Sequence, residues 1–281
     1  MSTLTITTIQ ADLSWEDKAT NLRRFEEKIL GIREQTEIVI LPEMFSTGFS
    51  MNPAAWAEPM DGPTIAWMKK IAAHKRVILT GSIIIEEEGN YYNRLIWMLP
   101  NGQYGHYDKR HRFAYAGENE YYTAGSRRVI ASVKGWKINL QVCYDLRFPI
   151  WSRQTPKEPL PALHAEGAGH RTVDAPPDLE YDVIIYVANW PEVRSHAWTT
   201  LLLARAIENQ SYVVGVNRVG TDGKGIVHSG DSLIVSPLGE ALYHAPPEEA
   251  IFTYTLQKEQ LEKVRTKMPF WRDADHFSIE I

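Results

Sequence analysis

Cysteine is nearly absent from this chain, which contains only Cys143 among its 281 residues. A single cysteine excludes a disulfide within the chain and is typical of proteins in a reducing compartment. No apolar stretch reaches the roughly 20 residues that a membrane-spanning helix needs. The first residues also lack the charged and apolar regions of a signal peptide. We therefore expect a cytoplasmic protein with no membrane partner.

An excess of positive charge is also missing, because the formal net charge is −5 at pH 7. Surfaces that bind nucleic acids are basic, so we expect no nucleic-acid partner. No group of His, Cys, Asp and Glu has the spacing of a metal site, and no glycine-rich phosphate loop occurs. We therefore expect no metal and no other cofactor.

What the chain does contain is a large apolar fraction, 44% of its residues, which suits one large domain over 1–281. Helical and strand periods alternate along the chain, and several strands form hairpins, which favours an α/β fold with mixed sheets. Segment 154–180 has neither period and is predicted to be an inserted loop, either mobile or ordered as a flap. The predicted helices cover 15–34, 63–74, 195–210 and 258–267, and the predicted strands cover 4–9, 37–41, 77–85, 91–99, 103–107, 129–133, 136–142, 182–188, 212–217, 231–236 and 251–256.

Three predicted strands end beside side chains that can react. Glu43, Lys109 and Cys143 each lie just past the last residue of such a strand. Because α/β proteins place their chemistry at strand ends, the three side chains could share one crevice. Taken one at a time, a solvated glutamate, a solvated loop lysine and an inert buried cysteine are the alternative interpretations.

Together these groups suit acyl transfer from an amide. The thiolate of Cys143 can attack a carbonyl carbon, while Glu43 takes the thiol proton and later protonates the leaving amine. The Lys109 ammonium and the backbone N–H of Tyr144 can stabilise the oxyanion of the tetrahedral intermediate. A redox-sensing cysteine is a weaker alternative, because the chain has no second cysteine to form a disulfide.

Four segments carry a family resemblance: 41–45, 107–111, 142–149 and 188–191. In their order and separation they resemble the signature blocks of the nitrilase superfamily of carbon–nitrogen hydrolases. The resemblance implies a Glu–Lys–Cys triad formed by Glu43, Lys109 and Cys143. It also implies a second glutamate, which by position is Glu118, with Glu120 close enough to remain an alternative.

The same resemblance implies a fold and an assembly. The fold is a four-layer α-β-β-α sandwich, in which two mixed sheets face each other and helices cover the outside. Subunits of this superfamily commonly pair through helices, so we expect a homodimer or a higher homo-oligomer. Helix 195–210, with Leu201, Leu202, Ala206 and Ile207 expected to face inward, is either that contact or an ordinary core helix.

Among the branches of the superfamily, the blocks most resemble those of bacterial omega-amidases. This resemblance implies a small-molecule amide substrate, the terminal amide of a dicarboxylic acid monoamide such as 2-oxoglutaramate or 2-oxosuccinamate. A guanidinium suits the distant carboxylate of such a substrate, and Arg147 is the first candidate, with a structural pair to Asp145 or a neighbour as the alternative. The aromatic side chains expected to wall the pocket, or else only to pack, are Phe113, Tyr115 and Trp190.

Other functions stay open on these residues. The same triad could hydrolyse carbamoyl amides or nitriles, and a non-catalytic binding module could use the same fold. His111 and His196 could act as acid–base groups, but Glu43 already supplies a base, so we expect both histidines to form structural hydrogen bonds.

Overall fold

The computed structural model describes residues 2–154, 179–275 and 277–280. Among these residues the strands form two six-stranded sheets and one separate hairpin. The strands are β1 (Thr3–Gln10), β2 (Ile38–Ile40), β3 (Ile78–Glu87), β4 (Asn90–Met98), β5 (Tyr104–Asp108), β6 (Ile130–Val133), β7 (Trp136–Val142), β8 (Val183–Val187), β9 (Tyr212–Val216), β10 (Val219–Thr221), β11 (Val227–Ser229), β12 (Leu233–Val235), β13 (Ala241–His244) and β14 (Ala250–Gln257).

The helices of the same residues lie mostly between strands. They are α1 (Lys18–Leu30), α2 (Pro53–Trp56), α3 (Pro63–Lys75), α4 (Glu118–Tyr121), α5 (Pro149–Ser152), α6 (Ser195–Asn209) and α7 (Lys258–Lys267). Short 3₁₀ helices cover Ala114–Ala116, Cys143–Arg147, Glu192–Arg194 and Phe270–Asp273. None of these helices has the length and apolar character needed to cross a membrane.

The two sheets repeat one topological plan. The first has the order β14-β1-β2-β3-β4-β5, with β1, β2 and β3 parallel and the outer strands antiparallel. The second has the order β13-β12-β9-β8-β7-β6, with β7, β8 and β9 parallel. In a parallel arrangement the carboxyl ends of neighbouring strands meet at one edge, which is where such sheets place their ligands.

The core has two layers because the parallel strands are buried on both faces. Ile38 and Ile40 of β2 face the second sheet, where they join the cluster that contains Leu140 of β7. Val39 faces the other way and packs with Phe25 of α1 in a second cluster, which also contains residues of α3. Burial on both faces explains why β2 has a continuous apolar sequence rather than an alternating one.

The predicted α-β-β-α sandwich with two mixed sheets is confirmed by this architecture and by the similar structures described below. Helix α1 is shorter than predicted, because Asp17 caps its start by accepting a hydrogen bond from the Thr20 N–H at 3.0 Å. The prediction that Ile207 faces inward is wrong, since its side chain is 55% exposed. Leu202 and Ala206 occupy the buried face of α6, and the next residue points about 100° away from it.

Some parts of the chain differ from the predictions or lie beyond them. The sequence analysis missed β10, β11 and β13, which are only three or four residues long. Of the predicted inserted loop 154–180, only Gln154, Leu179 and Glu180 belong to the described residues. The role of this loop and the single domain over 1–281 therefore remain predictions.

Candidate active site

Glu43 lies in the turn that follows β2, with its side chain fully buried. One carboxylate oxygen, Oε1, accepts a hydrogen bond from Asn93 Nδ2 at 2.7 Å, and Oε2 accepts one from the Asn189 N–H at 2.8 Å. The Asn189 side chain in turn donates to the backbone carbonyl of Glu43. Strands from both sheets therefore hold this carboxylate in one orientation, because Asn93 belongs to β4 and Asn189 follows β8.

Lys109 follows β5, and its ammonium is buried between two carboxylates. Its Nζ lies 2.9 Å from Glu43 Oε1 and 2.8 Å from Glu118 Oε2. Burial alone lowers the pKa of Lys109, but the negative charges of Glu118 and Glu43 outweigh it, so the pKa is raised above its usual value. The side chain is therefore a permanent cation at neutral pH.

Glu118 is the glutamate that reaches Lys109, whereas Glu120 is exposed to solvent. Glu118 lies at the start of α4, is fully buried, and accepts a hydrogen bond from the Phe113 N–H at 2.5 Å. Burial raises the pKa of Glu118, and the adjacent ammonium only partly opposes this effect. The geometry favours Glu118 over Glu120 as the second glutamate, although its role remains a prediction.

Cys143 begins the 3₁₀ helix that follows β7, and its backbone has φ = +45°, in the left-handed region. A left-handed residue other than glycine is strained and occurs often at functional sites. The pKa of the thiol is raised well above its usual value by burial, then by the negative charge of the nearby Glu43, against the opposing effect of Lys109. The resting side chain is therefore a neutral thiol with a base beside it.

The Asp145 carboxylate, also fully buried, holds the turn of Cys143 against the segment that carries Lys109. It accepts hydrogen bonds from the Val142 N–H at 3.0 Å, the Tyr107 hydroxyl at 2.7 Å and the His111 N–H at 2.9 Å. Because β7 and β5 belong to different sheets, these bonds fix the thiol relative to the ammonium.

His111 has the structural contacts that the sequence analysis expected of it. Its Nδ1 lies 2.8 Å from Asp145 Oδ1, and its ring stacks on Phe148 at a centroid distance of 3.7 Å. Asp145 pairs with His111 and Tyr107 and makes no ion pair with Arg147, so it is not the partner of a structural arginine at that position.

A cavity opens above Cys143, and several of the residues named by the sequence analysis line it. They include Phe113, Tyr144, Arg147 and Trp190. The structure does not bring Tyr115 to this cavity, because the 3₁₀ turn at Ala114–Ala116 directs its side chain outward, where it is 88% exposed. The N–H of Tyr144 lies in the first turn of a helix, where N–H groups have no partner within the helix.

Sequence reasoning missed several residues of this site. Asn93 and Asp145 hold the reactive side chains, and Arg194 and His228 line the cavity. The only feature of the sequence that could have indicated a role for Asn93 is that a polar residue stands within a strand whose following residues are mostly apolar. Among residues 2–154, 179–275 and 277–280, no cluster of three or more His, Cys, Asp or Glu side chains could hold a metal ion.

Comparison with known proteins places this geometry in a family. The carbon–nitrogen hydrolase family model matches residues 5–266. Omega-amidase YafV of Escherichia coli (strain K12) is 40% identical over 99% of this chain and 100% of its own length. The 2-oxoglutaramate amidase of Bacillus subtilis (strain 168) is 30% identical over 96% of both proteins.

A solved structure shows the same likeness. A CN-hydrolase superfamily protein from Xanthomonas campestris, whose crystal structure carries an arsenic adduct in the active site, is 38% identical over the full length of both chains, with a TM-score of 0.90. The chain therefore belongs to the carbon–nitrogen hydrolase family, as its sequence blocks predicted.

Proposed function

We propose that this protein hydrolyses the terminal amide of a dicarboxylic acid monoamide and releases ammonia through an acyl-enzyme on Cys143. The observation that carries the proposal is the buried ion pair of Glu43 and Lys109, which lies close enough to Cys143 in the cavity wall for both charges to act on the thiol. This arrangement supplies a base, a cation and a nucleophile at one point of the cavity.

The first half of the reaction follows from the neutral state of the thiol. Glu43 accepts the proton of Cys143 as sulfur attacks the amide carbon, so no free thiolate is needed beforehand. The carbonyl oxygen becomes an oxyanion, which the Lys109 ammonium and the Tyr144 N–H stabilise. Glu43 then gives the proton to the departing nitrogen, the carbon–nitrogen bond breaks, and ammonia leaves a thioester behind.

The second half uses water in place of the thiol. Glu43 accepts a proton from a water molecule while the oxygen of that water attacks the thioester carbon. The oxyanion then forms again beside Lys109. When the carbon–sulfur bond breaks, the proton returns to sulfur and the acid is released. Glu118 holds the Lys109 ammonium in place through both halves.

The substrate class is supported by the cavity and by the relatives. The names of two relatives, an omega-amidase and a 2-oxoglutaramate amidase, describe this chemistry in those proteins. Arg147, whose guanidinium lies 4.9 Å from the centre of the Trp190 ring, offers a cation at the cavity wall for a distant carboxylate. Phe113 and Trp190 supply the apolar walls that enclose the carbon chain.

The test is ammonia release by Cys143→Ala and by the wild-type protein over a panel of amides. We expect the wild type to act on dicarboxylic acid monoamides, the variant to be inactive, and mass spectrometry to find an acyl adduct on Cys143. Carbon dioxide released with ammonia would identify a carbamoyl-amide hydrolase, and turnover of nitriles a nitrilase. If neither an adduct nor a product is found, a non-catalytic binding module is favoured. Unchanged turnover by the variant would reject the mechanism.

We also propose that two chains pair through α6 and α5, as the superfamily resemblance implies. Ile207 and Ile150 are 55% and 53% exposed, and Arg153 beside α5 donates a hydrogen bond to the carbonyl of Glu208 on α6. Light scattering should give twice the mass of one chain, and Ile207→Glu should give a monomer. A wild-type monomer would contradict this proposal. The cytoplasmic location stays a prediction.

A further inference from the structure

A second guanidinium, that of Arg194, lines the same cavity as Cys143. Arg194 ends the 3₁₀ helix Glu192–Arg194, and its backbone carbonyl accepts a hydrogen bond from Trp190 Nε1 at 2.8 Å. Its guanidinium lies 5.2 Å from the centre of the Phe113 ring. The backbone of Arg194 is thus held by Trp190, and its side chain packs on Phe113, both of which line the cavity.

The charge of Arg194 has no ion-pair partner among the residues that the structure describes. Within the part of the chain that the structure describes, the side chains of Arg194 and Arg147 make neither a hydrogen bond nor an ion pair, only their contacts with aromatic rings. By contrast, the buried guanidiniums of Arg94 and Arg218 pair with Asp108 and Asp12. Two unpaired cations at one cavity favour an anionic ligand.

One carboxylate does line the cavity, that of Asp222, but it has other partners. Its Oδ1 accepts the N–H groups of Lys224 and Ile226, each at 2.9 Å, and no ion pair joins it to Arg194. The imidazole of His228, also in the wall, has its pKa lowered to about 4 by burial and by Arg218, so it is neutral at pH 7. The excess of positive charge in the wall therefore comes from the two arginines.

We propose that Arg194 is a second carboxylate-binding residue, which grips the substrate's carboxylate together with Arg147 and selects acids that carry a 2-oxo group beside it. The inference rests on the proposed function. A carboxylate has about four lone-pair directions, enough for two guanidiniums, and a neighbouring 2-oxo oxygen adds another acceptor. Arg194 is half-buried while Arg147 is exposed, so solvent weakens the contact of Arg194 less.

The test compares Arg194→Gln and Arg194→Lys with the wild type on three amides of equal chain length. One carries a carboxylate with a 2-oxo group, one a carboxylate alone, and one neither. Arg194→Gln should lower kcat/KM for the 2-oxo acid about 10- to 100-fold, chiefly through KM, as expected for a lost charged hydrogen bond. Arg194→Lys should lie between, because it keeps charge but not the planar fork. Turnover of the amide without a carboxylate should change less than about threefold.

Arg23→Gln is the matched control, because Arg23 is an exposed arginine of α1 that does not line the cavity. An Arg194→Gln variant that lost the same factor on all three amides, or none on any, would overturn the assignment while leaving the proposed function intact. Wild-type protein that released no ammonia from either acid would instead overturn the proposed function, and with it this inference. A loss confined to the two acids and equal for both would reject selection of the 2-oxo group.

Discussion

Replacing Glu118 by Gln removes one negative charge from the buried cluster while keeping the shape of the side chain. In the wild type, Glu118 receives two contacts from Lys109 Nζ, at 2.8 and 3.0 Å, and one from the Phe113 N–H. The single oxygen of a glutamine at this position can accept from either Lys109 Nζ or the Phe113 N–H. Its NH₂ group must then face the other donor, with which it cannot form a hydrogen bond. We expect the ammonium to become less well held and the site to lose activity.

The size of the effect follows from the partners that remain. Removing one partner of a buried ion pair costs about 3–5 kcal/mol when the other charge is left alone. Lys109 keeps Glu43 at 2.9 Å, so we expect the lower end, about 3 kcal/mol. If this loss is felt in the transition state, kcat falls about 100-fold, since about 1.4 kcal/mol corresponds to a factor of ten.

Steady-state ammonia release measures the loss, and Glu120→Gln is the control because Glu120 lies two residues away and is exposed. The control should stay within about twofold of the wild type. Urea unfolding of both variants separates a loss of catalysis from a loss of folded protein. Wild-type activity in Glu118→Gln, or an equal loss in both variants, would refute the assignment of Glu118 as the residue that positions Lys109.

Three further predictions concern buried titratable groups. Glu43→Gln should abolish amide hydrolysis yet let iodoacetamide alkylate Cys143 at lower pH, because the charge of Glu43 adds to burial in raising the pKa of that thiol. Asp145→Asn should lower the free energy of unfolding in urea by about 1–3 kcal/mol, since its NH₂ group must face one of several donors. The pKa of His228 is lowered from 6.5 to about 4 in the folded protein. As the pH falls from 6.5 to 4, the imidazole therefore binds a proton in the unfolded chain before it does so in the folded protein, and the free energy of unfolding decreases. His228→Gln should remove up to roughly 3 kcal/mol of that fall, measured by urea unfolding at pH 7.5 and 4.

Each of these predictions has an opposing result. An unchanged pH profile of alkylation in Glu43→Gln would mean that Glu43 does not act on the thiol. Asp275→Asn changes an exposed carboxylate and is the control. If Asp145→Asn is as stable as this control, the hydrogen bonds of Asp145 between the two sheets contribute little to the free energy of unfolding. An unaltered loss of stability on acidification in His228→Gln would assign that loss to other groups.

Short-range features of the sequence were enough to predict the class of fold and the reactive residue types. The apolar run that becomes β2 is continuous because both of its faces are buried, whereas apolar and polar residues alternate along β7. Reactive residues follow closely where each of these strands ends. The resemblance of four blocks then implied the family, which the comparisons confirm. The exposed side of α6 was not predictable, because helical period alone does not tell which of two adjacent apolar stripes meets the sheet.

Only the tertiary structure could decide how these parts meet, because that depends on contacts between residues far apart in the chain. The choice of Glu118 over Glu120 depends on which carboxylate reaches Lys109, and local sequence favours neither. The contacts of Asp145 join strands of different sheets, and Arg194 meets the cavity wall only after β8 and the segment before α4 come together. Strand ends and residue types are local properties of a sequence, whereas burial, charge compensation and a shared cavity arise only when the sheets pack.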